Sequence, residues 1–358
     1  MLRFLLGIIA AALIVATIIP FVRTDLWPVR IFDFPRLQFA VLIMIVLFGY
    51  GVLRFWTRLR GWEYVIACLL GLSLFWQVYC IVPYLPLVAY QVDEHRSHSP
   101  DTRISLLIGN VLYNNRDAAA LLEVIRQADP DVVLLVEPTD WWQEQLLELE
   151  ARYPHTIFQP QDNHFGMLLY SRLELVNPEL RFLIEPEIPS IRTGVRLKSG
   201  TVVTLYGLHP KPPGLKQRDD DGREDSDLRD GELLLVAREV APLKDQPAIV
   251  AGDFNDVGWS HTTALFQKIG GLLDPRIGRG LYNTFDANNV LLRYPLDHIF
   301  VSDHFRLVEL RRLPYFGSDH FAILTVLEHD PAATAQQEEP APDPGDVQEA
   351  KEAIEKVR

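Results

Sequence analysis

Apolar positions along this chain follow two patterns. Up to about residue 92 they run almost unbroken; beyond it they come in short bursts that end in polar residues. Phe4 to Val22, Leu37 to Phe55 and Tyr64 to Val92 are each long enough to be spanning helices, since bilayer hydrocarbon takes about 20 apolar residues to cross. Hydrocarbon offers backbone amides no partner, so such stretches must be helical. Trp27, Trp56 and Trp62 stand at their ends, where interfacial aromatics belong. A cleaved signal peptide is the rival reading of the first stretch, but its apolar core is long and Ile18-Ile19-Pro20-Phe21 offers no small-residue cleavage site.

Orientation follows from basic residues in the short loops. Arg54, Arg58 and Arg60 surround the second loop. Arg23, Arg30 and Arg36 in the first are diluted by Asp25 and Asp33, and the third stretch exits into Asp93 and Glu94. This bias predicts a cytoplasmic second loop, a cytoplasmic N-terminus and an extracytoplasmic domain after the third span.

Past the spans, residues 93–101 read as a polar linker, 102–328 as one globular domain and 329–358 as a disordered acidic, Pro-rich tail. Only Val347 to Val357 in that tail has helical capacity. Strand-like bursts occur at Arg103 to Val111, Asp131 to Glu137, Gly166 to Ser171, Thr193 to Leu197, Thr201 to Leu208, Ala248 to Gly252, His298 to Ser302 and Ala322 to Leu327. Helical spacing covers Ala118 to Ala128, Trp141 to Arg152, Leu228 to Val240 and His261 to Ile269. Many strands with fewer helices predict an α+β sandwich rather than a strictly alternating parallel sheet.

Composition narrows the function. The net charge of −13, with Asp219, Asp220, Asp221, Glu224, Asp225 and Asp227 clustered within a charged loop at Lys211 to Asp230 next to His209, is unlike the basic surface of a nonspecific nucleic-acid binder. That loop reads as a solvated insertion rather than a substrate lid. Cys68 and Cys80 both lie in an apolar run, so neither a disulfide framework nor a thiolate metal site is expected. No HExxH pattern is present. The spans hold no internal ionisable residue of the kind that marks a transport path.

Polar residues recur where the apolar bursts stop or start: Asn110, Glu137, His209, Asp253 with Asn255, Asp297 with His298, and Asp319 with His320. Strand ends converge on one rim of a packed sheet, so these residues can meet in space. Carboxylates and an amide suit a hard cation such as Mg²⁺ or Mn²⁺, and imidazoles beside them suit charge stabilisation or proton transfer. Singly, each has a bland reading: a turn at Asn110, a solvated strand end at Glu137, a core histidine at His209, an Asx turn at Asp253 and a cap at Asp319.

Together and in order, they resemble the endonuclease/exonuclease/phosphatase superfamily. The likeness runs through Asp129-Pro-Asp-Val-Val-Leu-Leu-Val-Glu137, His164-Phe-Gly-Met-Leu-Leu-Tyr-Ser-Arg, Gly207-Leu-His-Pro, Gly252-Asp-Phe-Asn, Pro295-Leu-Asp-His-Ile-Phe-Val-Ser and Gly317-Ser-Asp-His-Phe-Ala-Ile. It implies a four-layer αββα sandwich, here preceded by three transmembrane helices. It further implies that Glu137, Asn110 and Asp319 bind metal, and that Asp253 orients or deprotonates water beside phosphate-binding Asn255. His320, oriented by Asp297, would contact the phosphate, and His209 would stabilise charge on phosphate or leaving group. His298 departs from the family, which often has an aromatic or aliphatic residue there, and His209 has no evident partner carboxylate.

The reading that emerges is a membrane-anchored, divalent-metal-dependent phosphoesterase with a nucleic-acid or phospholipid-type substrate and the lipid bilayer as partner. No protein partner is inferable. The alternative is a non-catalytic scaffold that retains the fold.

Overall fold

A computed structural model describes residues 1–96, 99–214 and 226–358. Most of the predicted acidic cluster, from Asp219 to Asp225, lies outside the described residues.

Three long helices open the chain: α1 (Leu2–Ile18), α3 (Arg36–Trp56) and α4 (Gly61–Ile81), with the one-turn α2 (Trp27–Arg30) between the first two. All three are long and apolar enough to cross a membrane. Ala10, Leu13, Ile43, Val46, Tyr50 and Leu70 pack where they meet. Phe4, Ile8, Ile45, Phe48 and Phe75 point outward, whereas Gln77 turns inward, donating to Thr17 at 2.9 Å and accepting from Arg36 at 3.3 Å. The outer surface of the helices is thus apolar, and these polar groups are paired inside.

The remainder builds two sheets. One has the order β10 (Phe305–Arg312), β11 (Ile323–His329), β1 (Arg103–Asn110), β2 (Val132–Val136), β4 (Met167–Ser171), β3 (His155–Gln159). The other runs β5 (Leu175–Arg181), β6 (Ser190–Arg196), β7 (Val202–Leu208), β8 (Ala248–Asp253), β9 (Asp297–Val301). Alternate residues explain the layers. Leu106, Ile108, Leu134 and Val136 face Leu205, Ile249, Ala251 and Ile299 of the opposite sheet. Leu107, Val133 and Leu135, one residue out of phase, pack beneath α5 (Ala118–Ala128) and α6 (Asp140–Gln145). Strands buried on both faces read as continuous apolar runs. Helices α7 (Asp227–Val240), α8 (His261–Gly270) and α9 (Pro344–Val357) cover the outer face of the second sheet. The expected αββα sandwich is therefore present.

Two parallel pairs set the site. β1 and β2 are joined through α5, and β7 and β8 through α7. A parallel connection needs such a crossover, and it leaves both strands ending on the same rim. Asn110, Glu137, His209 and Asp253 occupy those ends.

Three expectations need correction. The tail is ordered: α9 is capped by Asp343 and Asp346 and buries Ala350 and Ile354 against α7. Gly231 on α7 makes this fit, because a Cβ there would meet Val357 at 2.4 Å. The tail's Glu and Pro content concealed an amphipathic face. The linker at 93–101 is partly sheet: Leu307 donates to the Asp93 carbonyl at 2.8 Å, and His95 donates to that of Leu307 at 2.9 Å. The helix expected over Trp141 to Arg152 breaks at Leu146 into α6 and a 3₁₀ turn at Leu147–Ala151.

Nor do the three long helices stand apart from the sandwich. Their first loop packs Phe34 against Val257 and Leu296. Arg30 donates to Thr262 at 2.6 Å and pairs with Asp230 at 3.4 Å.

Candidate active site

Glu137 leaves β2 with a left-handed backbone, φ 62°, a conformation that costs a non-glycine residue of order 1–3 kcal/mol and clusters at functional sites. Across the site, Gly252 (φ 147°) lets β8 close on β7, since a Cβ would meet the Leu208 carbonyl at 1.9 Å. That approach sets Asp253 beside His209.

Asp253 Oδ2 is the hub. Asn110 Nδ2 donates to it at 3.1 Å, and His320 Nε2 and His209 Nε2 lie 3.6 and 3.9 Å away. Its other oxygen accepts the Asn255 amide at 2.9 Å. His320 Nδ1–H donates to Asp297 Oδ2 at 2.7 Å, so the imidazole lies between two carboxylates. Thr284 fixes β9 at this point by accepting the Leu296 and Asp297 amides. Ser318 donates to the Asn110 carbonyl at 2.7 Å and accepts the His320 amide at 3.0 Å, which ties the Asp319–His320 segment to β1.

The charges follow from these contacts. Burial raises Asp253 to about 7, with Asp297 adding to the effect and His320 opposing it. Burial works against a charged His320, but Asp297 and then Asp253 overcome it and push the ring to about 10. Burial lowers His209 to about 4 in spite of Glu137, so its ring is neutral at neutral pH. Burial also opposes charge on Glu137, yet His164, His209 and Asn110 outweigh it and hold the carboxyl to about 2.

Every predicted site residue lies on or beside this rim. Asn110 Nδ2 donates to Glu137 Oε1 at 2.9 Å as well as to Asp253. Its oxygen is taken by the Leu112 amide at 2.9 Å, so the amide nitrogen, not the oxygen, faces the carboxylates. Burial raises the pKa of Asp319 against the pull of His320, with Glu137 and Asp286 adding to the rise. Asn255 Nδ2 donates to the Pro210 carbonyl at 3.1 Å, and its own carbonyl accepts Arg229. His209 Nδ1 and Asp297 Oδ1 are buried with no hydrogen-bond partner among the described residues.

His164 was not anticipated as a site residue. It too is left-handed, φ 69°, and its Nδ1 lies 3.5 Å from Glu137 Oε2, with the ring 3.7 Å from that of Tyr113. The strand-end signal missed it because it lies in the turn before β4. His298 is a core residue: it accepts from Arg276 at 2.6 Å and donates to the Asp256 carbonyl at 2.8 Å. Burial and Arg276 hold it well below its ordinary pKa.

Two groupings invite a cation. Asp253, Asp297 and His320 bring ligand atoms within 4.8 Å of one another, but there the imidazole already stands between the carboxylates. Glu137 and Asp319 offer carboxylate oxygens alone, the donors a hard divalent ion takes.

Comparison with known proteins agrees with this architecture. The sequence profile of the Endonuclease/Exonuclease/phosphatase family matches residues 109–320. Curated protein sequences give no match. Among solved structures, the catalytic domain of human Nocturnin superposes with a TM-score of 0.50 at 20% identity, covering 64% of this chain and 95% of that one. An endonuclease/exonuclease/phosphatase protein from Bacteroides vulgatus gives 0.51 at 17% identity, with 64% and 100% covered. A functionally unknown conserved protein from Enterococcus faecalis gives 0.51 at 15%, with 63% and 100% covered. At these identities the likeness speaks for the fold.

Proposed function

Because this chain belongs to the endonuclease/exonuclease/phosphatase family, whose members are in general metal-dependent phosphoesterases, we propose that it hydrolyses a phosphate ester with Mg²⁺ or Mn²⁺ while anchored in a membrane by α1, α3 and α4. The observation that carries this reading is the convergence on Asp253 Oδ2 of Asn110, His209 and the Asp297-bound His320, next to the ionised Glu137.

Glu137 and Asp319 would hold the cation, and when bound it supplies positive charge against the phosphoryl oxygens. Asp253, raised to about 7, takes a proton from water as the water oxygen bonds to phosphorus and the ester P–O bond breaks. A base tuned near neutrality suits that transfer. His320, protonated below about 10, donates Nε2–H to a phosphoryl oxygen and offsets charge as it develops. Asp297 fixes its tautomer and orientation. His209 is neutral above about 4, so it acts as a hydrogen-bond donor to the phosphate or leaving oxygen rather than as an acid. Asn110 aligns Glu137 and Asp253 through its NH₂ group, and Asn255 lines the phosphate side.

The catalytic unit is residues 102–328, steadied by the first membrane loop and by α9. It lies outside the cytoplasm. The side of the helices that meets the domain carries Arg23, Arg30 and Arg36, whereas the far end carries Arg3, Arg54, Arg58 and Arg60, so the excess of basic residues lies at the far end. A reporter fused after Arg358 tests this: exported phosphatase should be active there, and fluorescence from a reporter that folds only in the cytoplasm would reverse the topology.

The activity is tested on the full-length protein with bis(p-nitrophenyl) phosphate. Turnover is expected with Mg²⁺ or Mn²⁺ and lost in chelator. Full turnover after verified metal removal would sink the proposal.

A further inference from the structure

The segment from Phe285 to Tyr294 joins the catalytic rim to the membrane helices. Its tip exposes three successive aliphatics, Val290 at 76%, Leu291 at 78% and Leu292 at 48%. Isolated exposed apolar residues are ordinary, whereas contiguous ones mark a contact surface. Here the neighbour can be identified. Gln38, in the first turn of α3, donates from Nε2 to the Leu291 carbonyl at 2.7 Å. Leu37, Val41 and Leu42, all exposed, begin the outward apolar band of that helix. Phe34, on the loop leading into α3, packs its ring edge-on against Tyr294 at 5.6 Å. The tip is thus held at the level where the apolar surface of a spanning helix begins. Tyr315, half exposed, donates to Asn288 beside the tip at 3.0 Å, and an amphipathic ring suits an interface.

The other end of the segment is fastened to the site. Ala287 donates to the Asp319 carbonyl at 2.6 Å, and the Phe285 ring lies 5.0 Å from that of His320. Four residues from Ala287 to Leu291 reach at most about 14 Å even when fully extended. Asp319 and His320 therefore stand within roughly that distance of the bilayer surface, about the reach of a lipid headgroup.

We propose that the tip at Val290, Leu291 and Leu292 dips into the bilayer interface and that the substrate is a phosphate ester presented by the bilayer itself. This rests on the phosphoesterase reading of the same site. Charge favours it over a nucleic acid: a chain of net charge −13 repels a long polyanion more than one phosphate already confined at the surface.

The test uses the full-length protein in phosphatidylethanolamine–phosphatidylglycerol vesicles. In a Cys68→Ser, Cys80→Ser background, Leu291→Cys is labelled with an environment-sensitive fluorophore. Blue-shifted emission quenched by spin-labelled lipid is expected; emission typical of water, unquenched, overturns the insertion whatever the enzyme does. Replacing Val290, Leu291 and Leu292 together by Ser should lower hydrolysis of headgroup-labelled vesicle phospholipid about tenfold or more, with bis(p-nitrophenyl) phosphate turnover within about twofold, because the spans still hold the protein in the vesicle and only the seating of the rim against the headgroups is lost. Cleavage of single-stranded DNA with no hydrolysis of vesicle lipid overturns the substrate class. Should bis(p-nitrophenyl) phosphate also be untouched, the phosphoesterase reading itself fails, while the fluorophore still decides the loop.

Discussion

Glu137 closes β2 on one sheet and Asp253 closes β8 on the other. Each follows a crossover helix, each is largely buried, and each accepts the same Asn110 amide. Yet Glu137 is held to about 2 and Asp253 is raised to about 7. Their neighbours account for the difference. Glu137 keeps some solvent access and has His164, His209 and Asn110 around it. Asp253 is completely enclosed and must share His320 with a second carboxylate, Asp297. Similar frames thus yield one carboxyl held ionised and one poised near neutrality, the contrast that the proposed ligand and base roles need.

The comparison breaks most sharply at the acceptor and its imidazole. Asp253→Ala and His320→Ala should each lower kcat by about 10²-fold or more with the fold intact, the usual loss for a positioned acid–base or charge-stabilising group. Circular dichroism and unfolding midpoints check the fold. Asp297→Ala should fall between these variants and wild type, since it touches His320 and not substrate. If all three stay near wild type on a demonstrated substrate, the constellation is wrong.

The pH profile sharpens it further. Asp253 works deprotonated, so kcat should fall about tenfold per unit as pH drops below about 7. His320 works protonated, so activity should also decline as pH rises through about 10. An acid limb near the ordinary aspartate value of roughly 4 would assign the base elsewhere.

Smaller effects are expected away from the rims. His298→Ala should change kcat less than about tenfold, because its ring braces the Asp256 carbonyl and Arg276 without reaching substrate. Equal damage from His298→Ala and His320→Ala would mean the wrong imidazole was chosen. Ile354→Ala on α9 should cost about 2–5 kcal/mol of stability by opening a cavity over α7, measured by denaturant unfolding, with kcat of the folded enzyme unchanged.

What the sequence made legible depended on burial. Central strands such as β1, β2 and β8, covered on both faces, stand out as apolar bursts, and the polar residue ending each burst marks the rim. β3, β5 and β10 escaped notice, and all three are edge strands. Half-exposed edges such as Leu175–Arg181 carry no continuous apolar signal. His164 escaped for another reason: it reaches Glu137 through a left-handed turn, and local spacing says nothing of that. The protonation contrast between Glu137 and Asp253 was also beyond the sequence, because it arises from neighbours more than 20 residues away.

The division of labour between the rims is tested most directly by titrating kcat of the full-length protein against Mg²⁺ for wild type, Glu137→Gln and Asp253→Asn. Removing a ligand charge weakens metal binding about 10-fold or more, so Glu137→Gln should shift the Mg²⁺ midpoint up by that factor and recover part of its rate at high Mg²⁺. Asp253→Asn should keep a midpoint near wild type while kcat falls about 10²-fold at every concentration. Equal midpoint shifts in both variants, or a rate in Asp253→Asn that high Mg²⁺ restores, would contradict the account.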